Sequence, residues 1–509
     1  MNTVTNTNNR QLKTKSIKSP TVLSFCSDIG TPVAVFEKLS RNEPNAFLFE
    51  STEGDSRLAR YSFLGIDPCQ TISFSNGRVM TRGRDGQTKE ETISDPIDYL
   101  QRTLETFQEE LIGEGRRIAP DGSIHESDST NINHVASFLP FIGGLVGYLG
   151  YGSTQYLEKI SQQSKDVVAV PDGFYGMYDS CVAFDHQYRR VTVMSFRGEE
   201  HAHSLVKRIS DPSGLNPLRI TQQVLSEEEI FDETKSSVSK EDFIKAVEKA
   251  KQFIQEGQVF QIVLSQRFSA YTTVNPIDLY RMLTATNPSP YAYYLKCPDF
   301  VYLGSSPETF VQCRDGQLLL RALAGTRRRG ATTQEDETLA CELKADEKEM
   351  AEHRMLVDLG RNDLGRVCRP GSIKVGEIAS LTKYTHVMHL ATEITGTLDG
   401  THTSFDAFRS CFPAGTVSGA PKVRAMQLLS SLEPERRGVY SGSVGYFDLN
   451  GNTDGAIAIR SVLIKDGIAH VNAGAGLVYD SKPEMEYQET RNKAKSVLQA
   501  IKLAERSGK

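Results

Sequence analysis

The sequence predicts a mixed α and β fold built from antiparallel hairpins, not a regular βαβ alternation. Three observations carry this expectation. Asn76-Gly77 and Asp85-Gly86 sit between short segments and read as hairpin turns. From Val33 to Tyr188 the apolar pattern is short and mixed, with strand pieces at Phe47-Leu48-Phe49, Thr71-Ile72-Ser73-Phe74 and Arg190-Val191-Thr192-Val193-Met194 just beyond. Helical periodicity emerges only later and is interleaved with further strands.

The elements follow in order. Pro140 to Tyr151 places Gly at every third or fourth position, which lets backbones approach closely. Ser239 followed by Asp242 resembles a helix cap, and Phe243, Ile244, Val247, Ala250, Phe253 and Ile254 repeat with helical period up to Gly257. A strand is expected over 259–268, a helix over 276–285, and a last helix over 483–504. Two stretches break the pattern. Gly113 to His134 is polar, turn-rich and expected to be an exposed loop; 210–237, rich in Ser, Pro, Glu and Thr, is a candidate boundary or insertion.

A chain of 509 residues has room for two to four domains and a large core. With 39% hydrophobic and 24% charged residues it is neither disordered nor collagenous, and no run of 18 apolar residues exists to cross a membrane. A net charge of -6 argues against a dedicated nucleic-acid partner. Eight Cys without a CxxC pair exclude a disulfide scaffold or structural zinc site and fit a reducing cytoplasm. Residues 1–20 carry four basic residues and no acid; without an apolar segment they read as a flexible polar terminus, with a transit peptide as the alternative.

Two pairs of carboxylates carry the first chemical signal. Glu349 and Glu352 lie three apart in a helix-forming segment, and Glu486 and Glu489 repeat the spacing in the last helix. If the helices meet, four oxygen ligands converge on a hard cation; a solvated helix face gives the same spacing. Gly325-Thr326-Arg327-Arg328-Arg329-Gly330 combines a turn with three guanidinium groups that suit carboxylates or phosphates, or simply solvent. The turn Phe412 to Lys422 leads into a helix whose backbone N–H groups could hold a carboxylate, but it lacks nucleotide P-loop spacing. No HExxH, GxSxG or strand-borne GxGxxG occurs.

Taken in order, these pieces resemble the chorismate-utilising enzymes, and within them the large subunits (component I) of anthranilate synthases. The dense part runs from Gly257 to Leu503. It includes Gln258 to Arg267, Asn287-Pro288-Ser289-Pro290-Tyr291, Ser306-Pro307-Glu308, Ala324-Gly325-Thr326-Arg327, Asp358 to Asp363, Pro413 to Lys422, Gly474-Ala475-Gly476 and the Glu486/Glu489 helix. A weaker match covers Leu48 to Gly65 and Pro140 to Gly152. The resemblance implies an α+β fold of two large antiparallel β-sheets forming a sandwich with helices packed outside. It divides the chain into the flexible 1–20, an N-terminal regulatory subdomain over 21–210 whose strands join the same sandwich, and a chorismate-binding catalytic domain over 238–505.

The resemblance also implies site roles. Mg²⁺ would be held by Glu349, Glu352, Glu486 and Glu489, partly through water, and would hold the ring carboxylate of chorismate. Tyr440 and Arg460 match positions that bind the enolpyruvyl carboxylate; Gly474, Ala475 and Gly476 offer backbone donors, and Lys493 lies near the metal-bound carboxylate. Glu308 matches the general acid that lets the C4 hydroxyl leave as water, a task that needs a raised pKa. His389 matches a position tied to the later elimination, and Thr326, Gly325 and Thr416 line the site.

Two positions separate the family's reactions. Where isochorismate and salicylate synthases carry a water-activating lysine, this chain has Gln261; where aminodeoxychorismate synthases often carry a nucleophilic lysine, it has Ala324. Both point to anthranilate, the first step of tryptophan biosynthesis, through aminodeoxyisochorismate; the alternative is component I of an aminodeoxychorismate synthase. No glutaminase GxCxG motif surrounds any Cys, so ammonia is expected from a separate glutamine amidotransferase subunit in a heterotetramer or larger hetero-oligomer. Leu48-Phe49-Glu50-Ser51, Arg60-Tyr61-Ser62 and Asn287-Pro288-Ser289-Pro290-Tyr291-Ala292 resemble an L-tryptophan inhibitor site, with Phe49 and Ala292 departing from the usual Leu and Met.

Overall fold

Two twelve-stranded antiparallel sheets face each other with helices on their outer faces. The computed structural model describes residues 20–507 except 27, 52–59, 113–115, 119–123, 127–138, 140, 161–164, 212–224 and 385–386. Nearly all of the flexible terminus expected over 1–20 and residues 212–224 of the 210–237 stretch therefore lie outside the described residues.

Each sheet is assembled from both parts of the chain. In the first, strands Thr21–Cys26, Arg190–Ser195, Ser180–Asp185, Tyr61–Ile66 and Ala46–Glu50 continue into Tyr291–Lys296, Val301–Ser306, Ser461–Lys465, Ile468–Leu477 and Gln261–Tyr271. The junction is the register Glu50↔Ala292 to Ala46↔Lys296. In the second, Val387–Thr397, Gln317–Arg328, Thr309–Arg314, Thr453–Ile457 and Ser443–Asp448 continue into Gly144–Leu149, Gly173–Tyr178 and Gln70–Ser75. There the junction is Ser443↔Leu149 to Asp448↔Gly144.

Local sequence explains these choices. Alternation in Ala46–Glu50 sends Phe47 between the sheets, where it packs edge-on against Phe141 and Tyr178, and sends Ala46 and Leu48 to the helix-covered face. Both faces are covered, so the strand reads as one apolar run. Gly144–Leu149 is wholly buried, and a Cβ on Gly147 would lie 1.9 Å from the Phe174 carbonyl oxygen of the neighbouring strand. Glycine is required there by close approach, as the spacing over 140–151 suggests. Asn76 and Gly77 both adopt positive φ, 50° and 76°, and close the hairpin of Gln70–Ser75 with Arg78–Gly83.

The helix over Lys240–Gln255 starts as expected, with the Ser239 side chain accepting from the Asp242 N–H and Phe243, Val247 and Ala250 buried. Such a cap contributes about 1 kcal/mol. Pro276–Thr286 and Pro483–Ser507 pack together on the outer face of the first sheet; Glu347–Gly365 covers the second. One expectation is corrected. The stretch from Gly113 to His134 is not loop throughout, because Arg116–Ile118 pairs with Ile124–Glu126 in a short hairpin.

Candidate active site

The site forms where the chain crosses between the sheets. Pro307 and Glu308 link Val301–Ser306 of the first sheet to Thr309–Arg314 of the second; Ala458, Ile459 and Arg460 make the return crossing from Thr453–Ile457 to Ser461–Lys465. The crossings are stitched together by the Ile457 N–H on the Glu308 carbonyl (3.0 Å) and the Ser305 N–H on the Arg460 carbonyl (3.1 Å). Arg460 sits at φ 52°, a left-handed conformation that costs a non-glycine residue about 1–3 kcal/mol and collects at functional sites.

Around these crossings lies a cavity of about 570 Å³. It brings together Glu308, His389, Thr326, Glu349, Glu352, Glu486, Glu489, Gln261, Ala324, Gly325, Thr416, Tyr440, Arg460, Gly474, Gly476 and Lys493. Ala475 is the exception among the expected residues. Alternation in Ile468–Leu477 turns its methyl to the opposite face, into an apolar cluster with Val259, Leu264 and Leu477. Asn472, Lys348 and Asn492 also line the cavity and were not expected. The same periodicities reach them: Asn472 shares a strand face with Gly474 and Gly476, while Asn492 lies three residues beyond Glu489.

Glu308 is half-buried in the cavity wall, and the loss of solvent around its carboxyl pushes it up to about 7 against the opposing pull of Thr416 and Lys493. The Thr416 hydroxyl beside it makes no well-formed hydrogen bond of its own. His389 lies opposite Thr326, where the ladder between Gln317–Arg328 and Val387–Thr397 shifts register at Gly325. Its Nδ1 is 3.0 Å from the Gly325 carbonyl and 3.2 Å from Thr326 Oγ1. A carbonyl can only accept, so Nδ1 carries the proton and Nε2 keeps its lone pair. Burial holds the imidazole below its ordinary pKa, which keeps it neutral. Gly325 has φ 63°, and the Glu349 carboxylate occupies the space beside it that a side chain would crowd.

The four glutamates come from two helices, as their spacing predicts. Gln261 Nε2 donates to Glu352 Oε1 at 2.9 Å, Lys493 pairs with Glu489 at 2.6 Å and donates to the Gly474 carbonyl at 3.0 Å, and Arg327 lies 3.5 Å from Glu349. Burial, and then the neighbouring carboxylate, raises the pKa of Glu352 and of Glu486. Glu486 Oε2 is buried without a hydrogen-bond partner. Hard oxygen donors with an orphaned buried oxygen fit a hard divalent cation. Among the described residues, however, no three His, Cys, Asp or Glu side chains stand close enough to enclose an ion by themselves.

The basic triplet is committed internally: Arg327 to Asp346, Arg328 to Glu335 and Arg329 to Asp336. In the Phe412–Lys422 turn, Thr416 and Val417 face the cavity, whereas Lys422 turns away to Asp363 at 2.8 Å.

A second cavity, about 520 Å³, lies between the sheets at the junction of the two parts of the chain. Glu50, Ser51, Tyr61, Pro290, Tyr291 and Ala292 border it, with the Glu50 carboxylate held by the Tyr280 hydroxyl at 2.7 Å. Leu48, Arg60, Ser62, Asn287, Pro288 and Ser289, the other half of the expected inhibitor set, do not line it. Leu48 points to the helix side, Arg60 is bound by Asp185 between the Tyr61 and Tyr188 rings, and Ser62 bonds His186. Facing them from the other sheet are Thr309, Gln312 and Asp454, bonded through the Tyr291 hydroxyl. Burial pushes the Asp454 carboxyl up to about 6.

Residues 44–499 match the chorismate binding enzyme family. Anthranilate synthase component 1 of Geobacillus stearothermophilus is 39% identical over 504 residues, covering 96% of this chain and 94% of its own. That of Mycobacterium tuberculosis (strain ATCC 25618 / H37Rv) is 39% identical over 506 residues, covering 96% and 93%. Among solved structures, anthranilate synthase component I from Streptococcus pneumoniae TIGR4 superposes with a TM-score of 0.73 at 35% identity, covering 93% of this chain and 99% of that one. The menaquinone-specific isochorismate synthase of Escherichia coli shares the fold, with a TM-score of 0.66 at 18% identity, covering 95% of each. The chain belongs to the chorismate-binding enzymes. No helix among the described residues is long and apolar enough to cross a membrane.

Proposed function

We propose that the protein is the chorismate-converting component I of an anthranilate synthase, making anthranilate and pyruvate from chorismate and ammonia. The observation that carries this reading is the single cavity that gathers a proton-holding Glu308 with Arg460, Tyr440, Lys493 and four glutamates. Chorismate is a dianion, and one guanidinium with the two ammonium groups of Lys348 and Lys493 does not neutralise it beside four carboxylates. Mg²⁺ held by Glu349, Glu352, Glu486 and Glu489, partly through water since no three of them enclose an ion by themselves, would supply the missing positive charge for its ring carboxylate.

The chain's own groups account for the rest. Arg460, one of whose donors is fixed on the Lys493 carbonyl (2.8 Å), keeps others for the enolpyruvyl carboxylate, with the Tyr440 hydroxyl beside it. Glu308 holds its proton near neutrality and delivers it to the C4 hydroxyl, which leaves as water. Ammonia adds at C2. The Nε2 lone pair of His389 is the acceptor suited to the later loss of the C2 proton with pyruvate. Gln261, whose amide is occupied by Glu352, offers no base to activate water, and Ala324 offers no nucleophile, so ammonia is the incoming group.

The chain carries no glutaminase nucleophile motif, which supports a separate glutamine amidotransferase as its ammonia source in a hetero-oligomer, and its eight cysteines without a CxxC pair fit a reducing cytoplasm. The second cavity, with an apolar aromatic wall facing a polar one, suits L-tryptophan as a feedback inhibitor.

The test is product analysis. The purified chain is incubated with chorismate, Mg²⁺ and ammonium chloride at mildly alkaline pH, and products are separated with mass detection. Anthranilate with equimolar pyruvate is expected. Aminodeoxychorismate instead would move the protein to the folate branch, and consumption of chorismate to isochorismate would overturn the ammonia reading.

A further inference from the structure

The edge of strand Gln261–Tyr271 has a gap. Gly419–Ala420 pairs with it at Gln261 and Ile262, and Lys235–Ser236 pairs with it at Phe268 and Ser269, with no strand between among the described residues. A buried ion pair from outside the sheet fills the gap. Glu433 Oε1 accepts from both the N–H and the hydroxyl of Ser265, at 2.8 and 2.9 Å. Arg437, only 1% exposed, donates to Glu433 through Nε (2.8 Å) and Nη2 (2.6 Å). Its remaining donors go to the Val263 carbonyl (2.6 Å), the Val417 carbonyl (2.7 Å) and Ser441 Oγ (3.2 Å).

Two of the three recipients border the active-site cavity, and the third adjoins a residue that does. Val263 and Val417 line it, and Ser441 follows Tyr440, which lines it too. Ser441 is held at φ 66°, and the guanidinium lies 6.0 Å from the Tyr440 ring centroid. A buried ion pair is a poor source of net stability, because desolvation offsets the attraction and apolar residues of like volume do as well. What the planar fork does provide is fixed direction in three places at once.

We infer that Arg437, locked by Glu433, is a positioning residue for chorismate: it sets Tyr440 and the Thr416–Val417 turn relative to the Val263 strand. The assignment rests on the chorismate reading above. Lysine keeps the charge but cannot reach three sites in one plane, so Arg437→Lys separates position from charge.

Chorismate binding is measured by calorimetry with Mg²⁺ and without ammonia, alongside melting temperature and steady-state kinetics. Arg437→Lys is expected to weaken binding and raise KM about tenfold or more, the scale of losing one well-placed hydrogen bond to a charged group, with a smaller change in kcat. Arg267→Met is the control: Arg267 is buried on the same strand and paired with Glu435, but faces no wall of this cavity, so it should lower melting temperature and leave chorismate affinity alone. If Arg437→Lys does not fold, Glu433→Gln, which keeps the shape but loosens the lock, is expected to show the same split. Wild-type affinity in both Arg437→Lys and Glu433→Gln would overturn the inference and leave the function standing. No chorismate binding by the wild-type chain would overturn the function itself.

Discussion

Glu308 and Thr309 are consecutive residues that face different cavities. Glu308 enters the active-site cavity, while Thr309 borders the second one, where its hydroxyl accepts from Tyr291 at 3.1 Å. The Tyr291 hydroxyl in turn meets Asp454 at 3.0 Å and Gln312 at 3.0 Å. A ligand that reorders this network therefore acts one peptide away from Glu308, the proposed general acid. Thr309→Val keeps the shape and removes the acceptor. L-tryptophan is expected to bind this variant within about threefold of wild type by calorimetry, since one neutral hydrogen bond contributes little net energy. Inhibition of turnover should be lost or strongly blunted. Loss of binding and inhibition in parallel would show that Thr309 belongs to the ligand site and transmits nothing.

Glu308 also predicts a pH signature. Its carboxyl is pushed up to about 7 from an ordinary 4.5 by burial. Between those values the folded chain holds a proton that the unfolded chain has released, so stability falls as pH rises through the window and is level above it. Glu308→Gln removes that loss. At about pH 8 the variant is expected to be more stable than wild type by up to about 3 kcal/mol, converging with it below about pH 4. Turnover should fall about 10²–10⁴-fold, the usual contribution of a positioned proton donor. Chemical denaturation across pH checks the first part; a stability difference independent of pH would show that the proton is not held.

The parts of the site carried by helices were legible because helical spacing is local. Glu349 with Glu352 and Glu486 with Glu489 each occupy one face, and both faces meet the same cavity. The strand-borne inhibitor motifs were only half legible for an equally physical reason. A motif is contiguous, but a strand delivers alternate residues to each face, so Leu48 and Ser62 point away while Phe49, Tyr61 and Phe63 point in. For the same cause the Ala475 methyl lies on the far face, between Gly474 and Gly476, which line the cavity. Arg437 had no signal at all, because its partners Val263 and Val417 are brought to it only by the fold.

Gly147 predicts a purely structural result. The Cβ of Gly147→Ala would lie 1.9 Å from the Phe174 carbonyl oxygen and 2.7 Å from the Tyr175 Cα, both backbone atoms that cannot swing aside. Its strand, Gly144–Leu149, pairs with Gly173–Tyr178 on one side and, across the junction of the two parts of the second sheet, with Ser443–Asp448 on the other. Separating them to admit a methyl group is expected to cost about 2–4 kcal/mol, at the diagnostic end of single substitutions, read as a lower urea midpoint. An unchanged midpoint would mean that the strands give way freely there.

Gln261 and Glu352 make the last prediction. The 2.9 Å hydrogen bond from the Gln261 amide orients one carboxylate of the proposed Mg²⁺ site and favours its charged form; without it burial and the neighbouring Glu349 act unopposed by that donor. Groups that orient a metal ligand typically contribute about 10–100-fold to metal affinity. Gln261→Ala should therefore raise the Mg²⁺ concentration for half-maximal activity about tenfold or more, and direct calorimetry of Mg²⁺ binding in the presence of chorismate should show the same shift. The affected ligand must be deprotonated to bind, so the deficit should be largest at acid pH and shrink as pH rises. An unchanged Mg²⁺ requirement across pH would place the ion away from Glu352 and reduce the amide to a packing contact.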